Sequence, residues 1–515
     1  MSERGHEYRV YLDGGVGQDL NQPAAEPREV TEDRDTPFCL GIVGPFSGSR
    51  NPEEDADPHG RARSPLRRVT PENVMELAGL APALSLSGPK EGVPGPRLHF
   101  SHMEDFHPSR LAQRQEIFRS LWKLRSAIEA GEEIRGNGGK EGREDEARSP
   151  GPDRAPEGVE EAPEAGLLEA VLGETGASRE REARDPDEEL DEELDDFVRR
   201  VVRPHLVEDT AHRSRALAEV DGRMGRLLAE VLHDPAFQEL EALWRSVVFL
   251  LSRLQVSTRL RVYLLDVSQE ELMGDLLSTD EPTEWGFAHT VLNPISEHGE
   301  ELRWAALVGA FRFGSHPLHT PLLQRLGLLA EMGQVPWLSG AHSLLLGADS
   351  LTTHGEPGDW SAPEDPLWEE LRGNPEARWI HLAIPGFLLR GPYGPEGERV
   401  RKPDFQEETS FPADLLWGNP AVLMGLAMAQ RFGQAGWALD MGGRHEISQL
   451  PLVQDPGGHL TCVEARLSPN AAAEARERGL NPVISPRNEP RILLEGMRSV
   501  AASGGGLQGW WGGDR

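Results

Sequence analysis

Three histidines and two carboxylates lie close together near residue 100, in a pattern that could bind a metal ion or transfer protons. The stretch reads LHFSHMEDFHPSRL over residues 98–111 and contains His99, His102, Glu104, Asp105 and His107. Imidazole and carboxylate groups are common zinc ligands and general acid–base groups. The sequence has neither a His-Glu-x-x-His motif nor a Cys-x-x-Cys pair, and this weakens a zinc interpretation.

The same residues also fit a strand that turns into a helix. Neighbouring side chains such as His99 and Phe100 point to opposite faces of a strand, so the histidines need not converge. Pro108 suits the first position of a helix, and carboxylates just before it favour the positive end of that helix. We therefore predict no catalytic, cofactor-binding or metal-binding residues. A metal-dependent hydrolase is the remote alternative.

The elements around this stretch indicate an α/β fold. FCLGIVGPF is a nearly continuous apolar run, typical of a strand buried on both faces of a sheet. Asp234 and Pro235 can start a long helix, and from about residue 256 strands alternate with helices up to about 500. The predicted class is two α/β regions, with mixed sheets and packed helices, joined by a disordered acidic linker.

Composition sets the predicted boundaries, because one stretch is dense in Gly, Pro and acidic residues and has almost no apolar ones. Such a stretch cannot bury enough surface to offset the entropy of ordering. The predicted organisation is a first region at 1–128, a linker at 129–164, a second region at 165–500 (helices 165–255, α/β core 256–500) and a Gly/Trp tail at 501–515.

Charge and apolar runs limit the possible partners and location. The net charge of −33 argues against a nucleic-acid binder, which needs a basic face to displace counterions. The two cysteines, Cys39 and Cys462, lie in apolar stretches and indicate buried thiols in a reducing compartment. The N-terminus has no apolar core of signal-peptide length, and the run at 243–254 is too short to cross a bilayer. We expect a cytoplasmic protein.

Several motifs of the second region resemble the large subunit of the type VI secretion contractile sheath, the TssC/VipB family. They are HDPAFQELEALWRSVVFLLSRLQVSTRLRVYLLDVSQEELMGDL, LSGAHSLLLG, IPGFLLRGPYGP, LLWGNPAVLMGLAMAQRFGQAGWAL and EARLSPNAAAEARERGLNPVI. The residues that carry the resemblance are Trp244, Arg245, Pro385, Leu389, Arg390, Pro392, Tyr393, Gly394, Trp417, Gly418, Asn419 and Glu464.

The first region is similar to the small sheath subunit, TssB/VipA. FCLGIVGPFSGSR, LRRVTPENVMELAGLAPALSL and LHFSHMEDFHPSRL carry this likeness, with Asp105, Phe106 and Pro108 as its motif residues. In that family the two subunits are usually separate chains that pair, so the resemblance implies a fusion of both.

The resemblance implies a mechanical function rather than a chemical one. Sheath subunits form hexameric rings that stack around an inner tube, and contraction of the sheath drives effector delivery. The implied partners are other sheath subunits, the inner tube protein, the baseplate and a recycling AAA+ unfoldase. Leu167, Leu168, Val171 and Leu172 would form the helix that this unfoldase binds.

Two features lead to further expectations. Segments that follow the resemblance in both subunits of the family are absent here, and these contribute to strand exchange between subunits. A sheath-derived accessory or regulatory protein that does not itself polymerise is therefore the alternative function. The glycine-rich tail is expected to be poorly ordered, with Trp510 and Trp511 docking on a partner subunit.

Overall fold

Strand β1, Phe38–Gly44, is an interior strand, third from one edge of the sheet around which the protein is built. A computed structural model describes residues 36–48, 66–86, 95–130, 210–296, 299–361, 366–395, 397–409, 412–455 and 457–512. All seven residues of β1 are buried, as its continuous apolar sequence predicts.

The described strands follow in chain order after β1. They are β2 Arg67–Val69, β3 Ala83–Ser85, β4 Arg97–His99, β5 Leu260–Asp266, β6 Trp304–Phe313, β7 Trp337–Ala341, β8 Ile380–Ile384, β9 Phe387–Leu388, β10 Trp417–Gly418, β11 Arg444–Ser448, β12 Val453–Gln454, β13 Leu460–Thr461, β14 Leu480–Ile484 and β15 Arg491–Glu495.

The described α-helices are numbered separately here. They are α1 Pro108–Arg114, α2 Arg119–Ala130, α3 Thr210–Leu232, α4 Pro235–Leu251, α5 Gln269–Leu276, α6 Gly286–Leu292, α7 His319–Gly333, α8 Pro366–Gly373, α9 Ala421–Ala435 and α10 Pro469–Glu477. Short 3₁₀ helices lie between them, including Met103–Phe106 just before α1.

Nine of the described strands form one mixed sheet in the order β11-β15-β14-β8-β7-β6-β1-β5-β2. The six strands from β14 to β5 are parallel, and β2, β15 and β11 run antiparallel to their neighbours. Three two-stranded pairs lie outside it: β3 with β4, β9 with β10, and β12 with β13. The predicted α/β class, with mixed sheets and packed helices, is confirmed.

The sheet is covered on both faces, which gives two apolar cores. One contains Leu40 and Ile42 of β1 with helices α1 to α4 and α9. The other contains Cys39 and Val43 of β1 with helices α5 to α8 and α10. Alternate residues of β1 therefore serve opposite cores, as the period of a strand requires.

The two predicted regions share this sheet. β1 and β2 come from the first region, whereas their neighbours β5 and β6 come from the second. Most of the predicted linker and of the helices predicted at 165–209 lie outside the described residues. The boundaries at 128, 164 and 255 stay predictions.

Two predictions on local structure were wrong. The spacing of apolar residues after Pro108 predicts one helix through SRLAQRQEIFRSLWKLRSAIEA, but this helix is interrupted at Gln115, whose backbone is extended. The side chain of Gln115 pairs with the backbone of His99, which explains the break. The tail was expected to be poorly ordered, with Trp510 and Trp511 docking on a partner subunit. Instead, Leu507, Trp510 and Trp511 pack on the chain's own core.

Candidate functional site

The residues singled out by motif lie mainly where the first region contacts the second. We call this contact, formed by residues 38–48 and 97–130 with α3, α4, β5, β6 and the segment 387–407, the region junction. It is the candidate functional site.

The histidines near residue 100 serve as helix caps. His102 caps the 3₁₀ helix Met103–Phe106, where its Nδ1 accepts a hydrogen bond from the Glu104 N–H at 3.2 Å. His107 caps α1 in the same way, with Nδ1 at 3.2 Å from the Ser109 nitrogen. Because Nδ1 of each ring accepts a backbone hydrogen bond, its lone pair is not available to a metal ion. The neutral ring then carries its proton on Nε2. His99 is exposed.

Asp105 is a buried carboxylate with a structural role. It is 3% exposed and accepts hydrogen bonds from the backbone N–H groups of Ser101 (2.8 Å) and His102 (2.9 Å). Its other oxygen accepts from the guanidinium of Arg114 at 2.9 Å. Each of these partners is a donor from the chain itself, so the carboxylate holds the turn before α1 together.

Phe106 anchors this stretch to the second region. Its ring is fully buried and stacks on Phe100 with centroids 4.4 Å apart. It also meets Phe237 of α4 edge-on at 5.8 Å. Pro108 begins α1, as predicted from its position after the turn.

The turn after β1 is held by two residues of the second region. The indole N–H of Trp244 donates to the Phe46 carbonyl at 3.1 Å, and the two rings meet edge-on at 5.2 Å. The carboxylate of Asp266, at the end of β5, accepts from the Ser47 N–H at 3.0 Å and from the Ser47 hydroxyl. Trp244 therefore acts at the junction, as a packing residue.

A buried network of charges connects α4 with the segment after β9. We call Glu241, Arg245, Arg390, Tyr393 and Glu407 the buried ion network. Glu241 and Glu407 are 0% and 4% exposed. The links are Arg245 Nε to Glu241 (2.6 Å), Arg390 Nε to Glu241 (3.1 Å), Arg390 Nη1 to Glu407 (2.7 Å) and Arg245 Nη2 to the Tyr393 hydroxyl (2.9 Å).

The charges in this network compensate one another. Burial alone would raise the pKa of the Glu407 carboxyl, but His233 at 3.5 Å and Arg390 lower it below its usual value. Burial raises the pKa of Tyr393 to about 12, so its hydroxyl stays protonated. The Tyr393 N–H also donates to Glu407 at 2.9 Å. The network is therefore a fixed ionic cross-link and not a set of groups poised to exchange protons.

His107 extends this network to the first region. Its ring meets Tyr393 edge-on at 5.1 Å, and its Nε2 lies 3.2 Å from the Glu398 carboxylate. A second ionic contact lies further along, where Arg125 of α2 binds Asp221 of α3 at 2.7 Å. The Lys402–Glu129 pair adds an exposed contact at 2.6 Å.

The other motif residues of the second region form a separate cluster beside β8. Glu464 binds Arg312 at 3.1 Å, and Asn419 donates to the Phe311 carbonyl at 2.8 Å and accepts from the Ala421 N–H at 3.0 Å. The Trp417 indole donates to the Pro412 carbonyl at 2.7 Å. Asn419 thus attaches the start of α9 to the end of β6.

The remaining motif positions shape the backbone of the same segment. Gly418 has no room for a side chain, because a β-carbon there would lie 2.7 Å from the Phe387 ring. Gly394 has φ +147, which favours glycine. Pro385 is buried, and Leu389 and Pro392 are half-buried.

The two acidic members of the buried ion network, Glu241 and Glu407, were not predicted as site residues. The predicted motif residues include Arg245, Arg390 and Tyr393, whereas Glu241 lies within a quoted motif without being singled out and Glu407 lies outside all of the motifs. A signal for Glu241 was present, because it lies four residues before Arg245 on the apolar face of α4. The predicted unfoldase-binding residues Leu167, Leu168, Val171 and Leu172 lie outside the described residues.

Among the described residues, no group of three or more His, Cys, Asp or Glu side chains is arranged to hold a metal ion. Both cysteines are buried as free thiols, and burial raises the pKa of Cys39 to about 11. Over the same part of the chain, no helix is both long and apolar enough to cross a membrane.

Comparison with known proteins gives two matches to the second region. The VipB family model, described as EvpB/VC_A0108, tail sheath N-terminal domain, matches residues 214–501. The type VI secretion system sheath protein TssC1 of Pseudomonas aeruginosa is 26% identical over 304 residues, which are 55% of this chain and 60% of that relative. This chain thus spans less than two thirds of the relative's length, and β1 and the helices α1 and α2 lie before the family match.

Proposed function

Because this chain belongs to the VipB family of tail sheath proteins, we propose that it is a structural subunit of a type VI secretion contractile sheath. In this role it polymerises with other sheath subunits around an inner tube in the cytoplasm. Contraction of the polymer drives effector delivery. The inner tube protein, the baseplate and a recycling AAA+ unfoldase are its proposed further partners.

We also propose that residues 38–130 take the place of the small sheath subunit within the same chain. The observation that carries this proposal is the position of β1, which precedes the family match and yet lies between β5 and β6. The caps and aromatic contacts of residues 98–118 then attach this part to α3 and α4. One chain would then contain the counterparts of both sheath subunits, which are usually two separate chains.

A mechanical role fits the chemistry of the region junction. Its buried carboxylates Asp105, Glu241 and Glu407 are each paired with a guanidinium, so they form cross-links rather than a reactive centre. A subunit that transmits force through a lattice benefits from cross-links of this kind, because they resist sliding between neighbouring elements.

Negative-stain electron microscopy of the purified full-length chain tests the proposal. We expect rings or tubes at high protein concentration. The variant I42D places a charge in the buried strand β1 and should abolish them. E474Q, at a partly exposed pair on α10, is the matched control and should assemble normally.

A chain that stays monomeric, even with tube and baseplate proteins added, would contradict the sheath role. It would leave the non-polymerising accessory protein as the better interpretation.

A further inference from the structure

β1 fills a slot between β5 and β6 that accepts one extended strand. β5 pairs with all seven residues of β1, from Phe38 with Leu260 to Gly44 with Asp266. β6 pairs with β1 on the other side. Without β1, the facing edges of β5 and β6 would each expose a row of unpaired backbone groups.

The slot is selective for its occupant. At Gly41 a β-carbon would lie 2.7 Å from Leu307 Cδ2 of β6 and 3.2 Å from the Trp304 ring. Leu40 and Ile42 on either side are buried in one core, and Cys39 and Val43 are buried in the other. The slot therefore fits an extended apolar segment with a glycine at its centre.

The C-terminal tail lies across the amino end of this slot. We call Leu507–Trp511 the C-terminal clasp. The indole N–H of Trp510 donates to the Trp304 carbonyl, at the first residue of β6, at 2.9 Å. The Trp510 backbone N–H donates to the Gln334 carbonyl after α7 at 3.0 Å, and the Arg303 guanidinium lies 3.9 Å from the Trp510 ring centroid.

The clasp also touches the start of β1 through Trp437. The Trp437 ring lies 4.4 Å from Trp510 and 5.6 Å from Trp511 between centroids. On its other side Trp437 stacks on Phe38 at 5.8 Å, and its indole N–H donates to the Thr36 carbonyl at 2.9 Å. The clasp therefore bridges β6 and the residues that lead into β1.

From this bridge we propose that the C-terminal clasp locks β1 into its own chain's sheet and closes the slot to a strand from another chain. A separate subunit that donates a strand then has no free place between β5 and β6. The chain's assembly partner is therefore a second copy of itself. The consequence for assembly rests on the proposed sheath function, whereas the locking of β1 does not.

Hydrogen exchange of the full-length chain tests the locking. Amides of residues 38–44 should be protected to the same extent across a dilution series, because their strand partners are in the same chain. The double variant W510A/W511A should raise their exchange rate by about tenfold or more, since two aromatic contacts are lost at the entry to β1. L318A, at an exposed leucine, is the control and should change nothing.

A fluorescent peptide of residues 36–46 tests whether the slot is closed. The intact chain should not take it up, and W510A/W511A should. Protection of residues 38–44 that falls on dilution would show that a neighbour supplies the strand. Unchanged exchange in W510A/W511A, or uptake of the peptide by the intact chain, would equally overturn the proposal. Neither readout depends on whether tubes form, so failure of the sheath function is a separate result.

Discussion

His102, His107, His316 and His342 each accept a backbone hydrogen bond at Nδ1 from the residue two positions later. In each case the ring lone pair satisfies a backbone N–H group at the start of a turn or helix. A neutral imidazole is needed for this, because a protonated ring has no acceptor left. A cluster of histidines in a sequence can therefore reflect repeated capping rather than a shared ligand.

The carboxylate of Asp105 should be important for stability. In D105N, an amide NH₂ group would face donors from Ser101, His102 and Arg114, and the ion pair with Arg114 would be lost. We expect a loss of about 2 kcal/mol in the free energy of unfolding, measured by urea denaturation. E104Q removes an exposed pair one residue away and should cost less than about 0.5 kcal/mol. Equal effects of both variants would contradict this role for Asp105.

His381 should make the protein less stable in acid. Its ring is fully buried in β8, and burial lowers its pKa to about 4 from 6.5. Between these values the unfolded chain binds a proton that the folded chain does not, so stability falls as the pH drops from about 6.5 to 4. The shift corresponds to about 3 kcal/mol.

The variant H381F should remove this part of the pH dependence. Urea midpoints at pH 7.5 and 4.5 should differ less in H381F than in the wild type, and H99Q, at an exposed position, should behave like the wild type. An unchanged slope in H381F would show that other groups cause the acid sensitivity.

At the scale of elements, the buried ion network attaches α4 to the segment after β9. Removing one charge leaves the others uncompensated in a dry environment, which is more costly than losing a surface pair. We expect E407Q to lower the free energy of unfolding by about 3 kcal/mol, because Arg390 keeps only Glu241 as a charged partner. E474Q, at the partly exposed pair with Arg478, should cost less than about 1 kcal/mol in the same urea experiment. If E407Q lowered the free energy of unfolding as little as E474Q does, the buried ion network would contribute no more to stability than a surface pair.

Individual elements were easier to predict than their pairing. The apolar run of β1 and the Asp234–Pro235 start of α4 are local signals, and both elements form where expected. No local pattern indicates that β1 pairs with strands more than 200 residues later. Side-chain periodicity shows which residues share a face of the sheet, but it does not show which strands are neighbours.

The candidate site was predictable only in part for a similar reason. Family motifs pointed to Arg390 and Tyr393, but no local spacing links Arg390 to Glu241, which lies 149 residues away in the sequence. The packing of Trp510 on the core was also missed, since glycine-rich composition around it indicated disorder and its contacts with Trp304 and Trp437 are long-range.

At the scale of the whole molecule, residues 38–130 and 210–512 should unfold as one unit. A specific protease site inserted between residues 131 and 209 would let the full-length chain be cut after folding. The cut protein should elute as one particle and melt in a single transition, because β1 is paired on both sides by strands of the other fragment. Separation of the two fragments without denaturant would contradict this expectation.

The interior position of β1 also has a consequence for synthesis of the protein. β1 leaves the ribosome early, but β5 and β6 are complete only after residues 266 and 313. At about 5–20 residues per second, the apolar strand waits roughly 10 to 50 s for its neighbours. During that time FCLGIVG is an exposed aggregation-prone segment, so we expect the nascent chain to depend on chaperones that bind apolar strands until residue 313 has emerged.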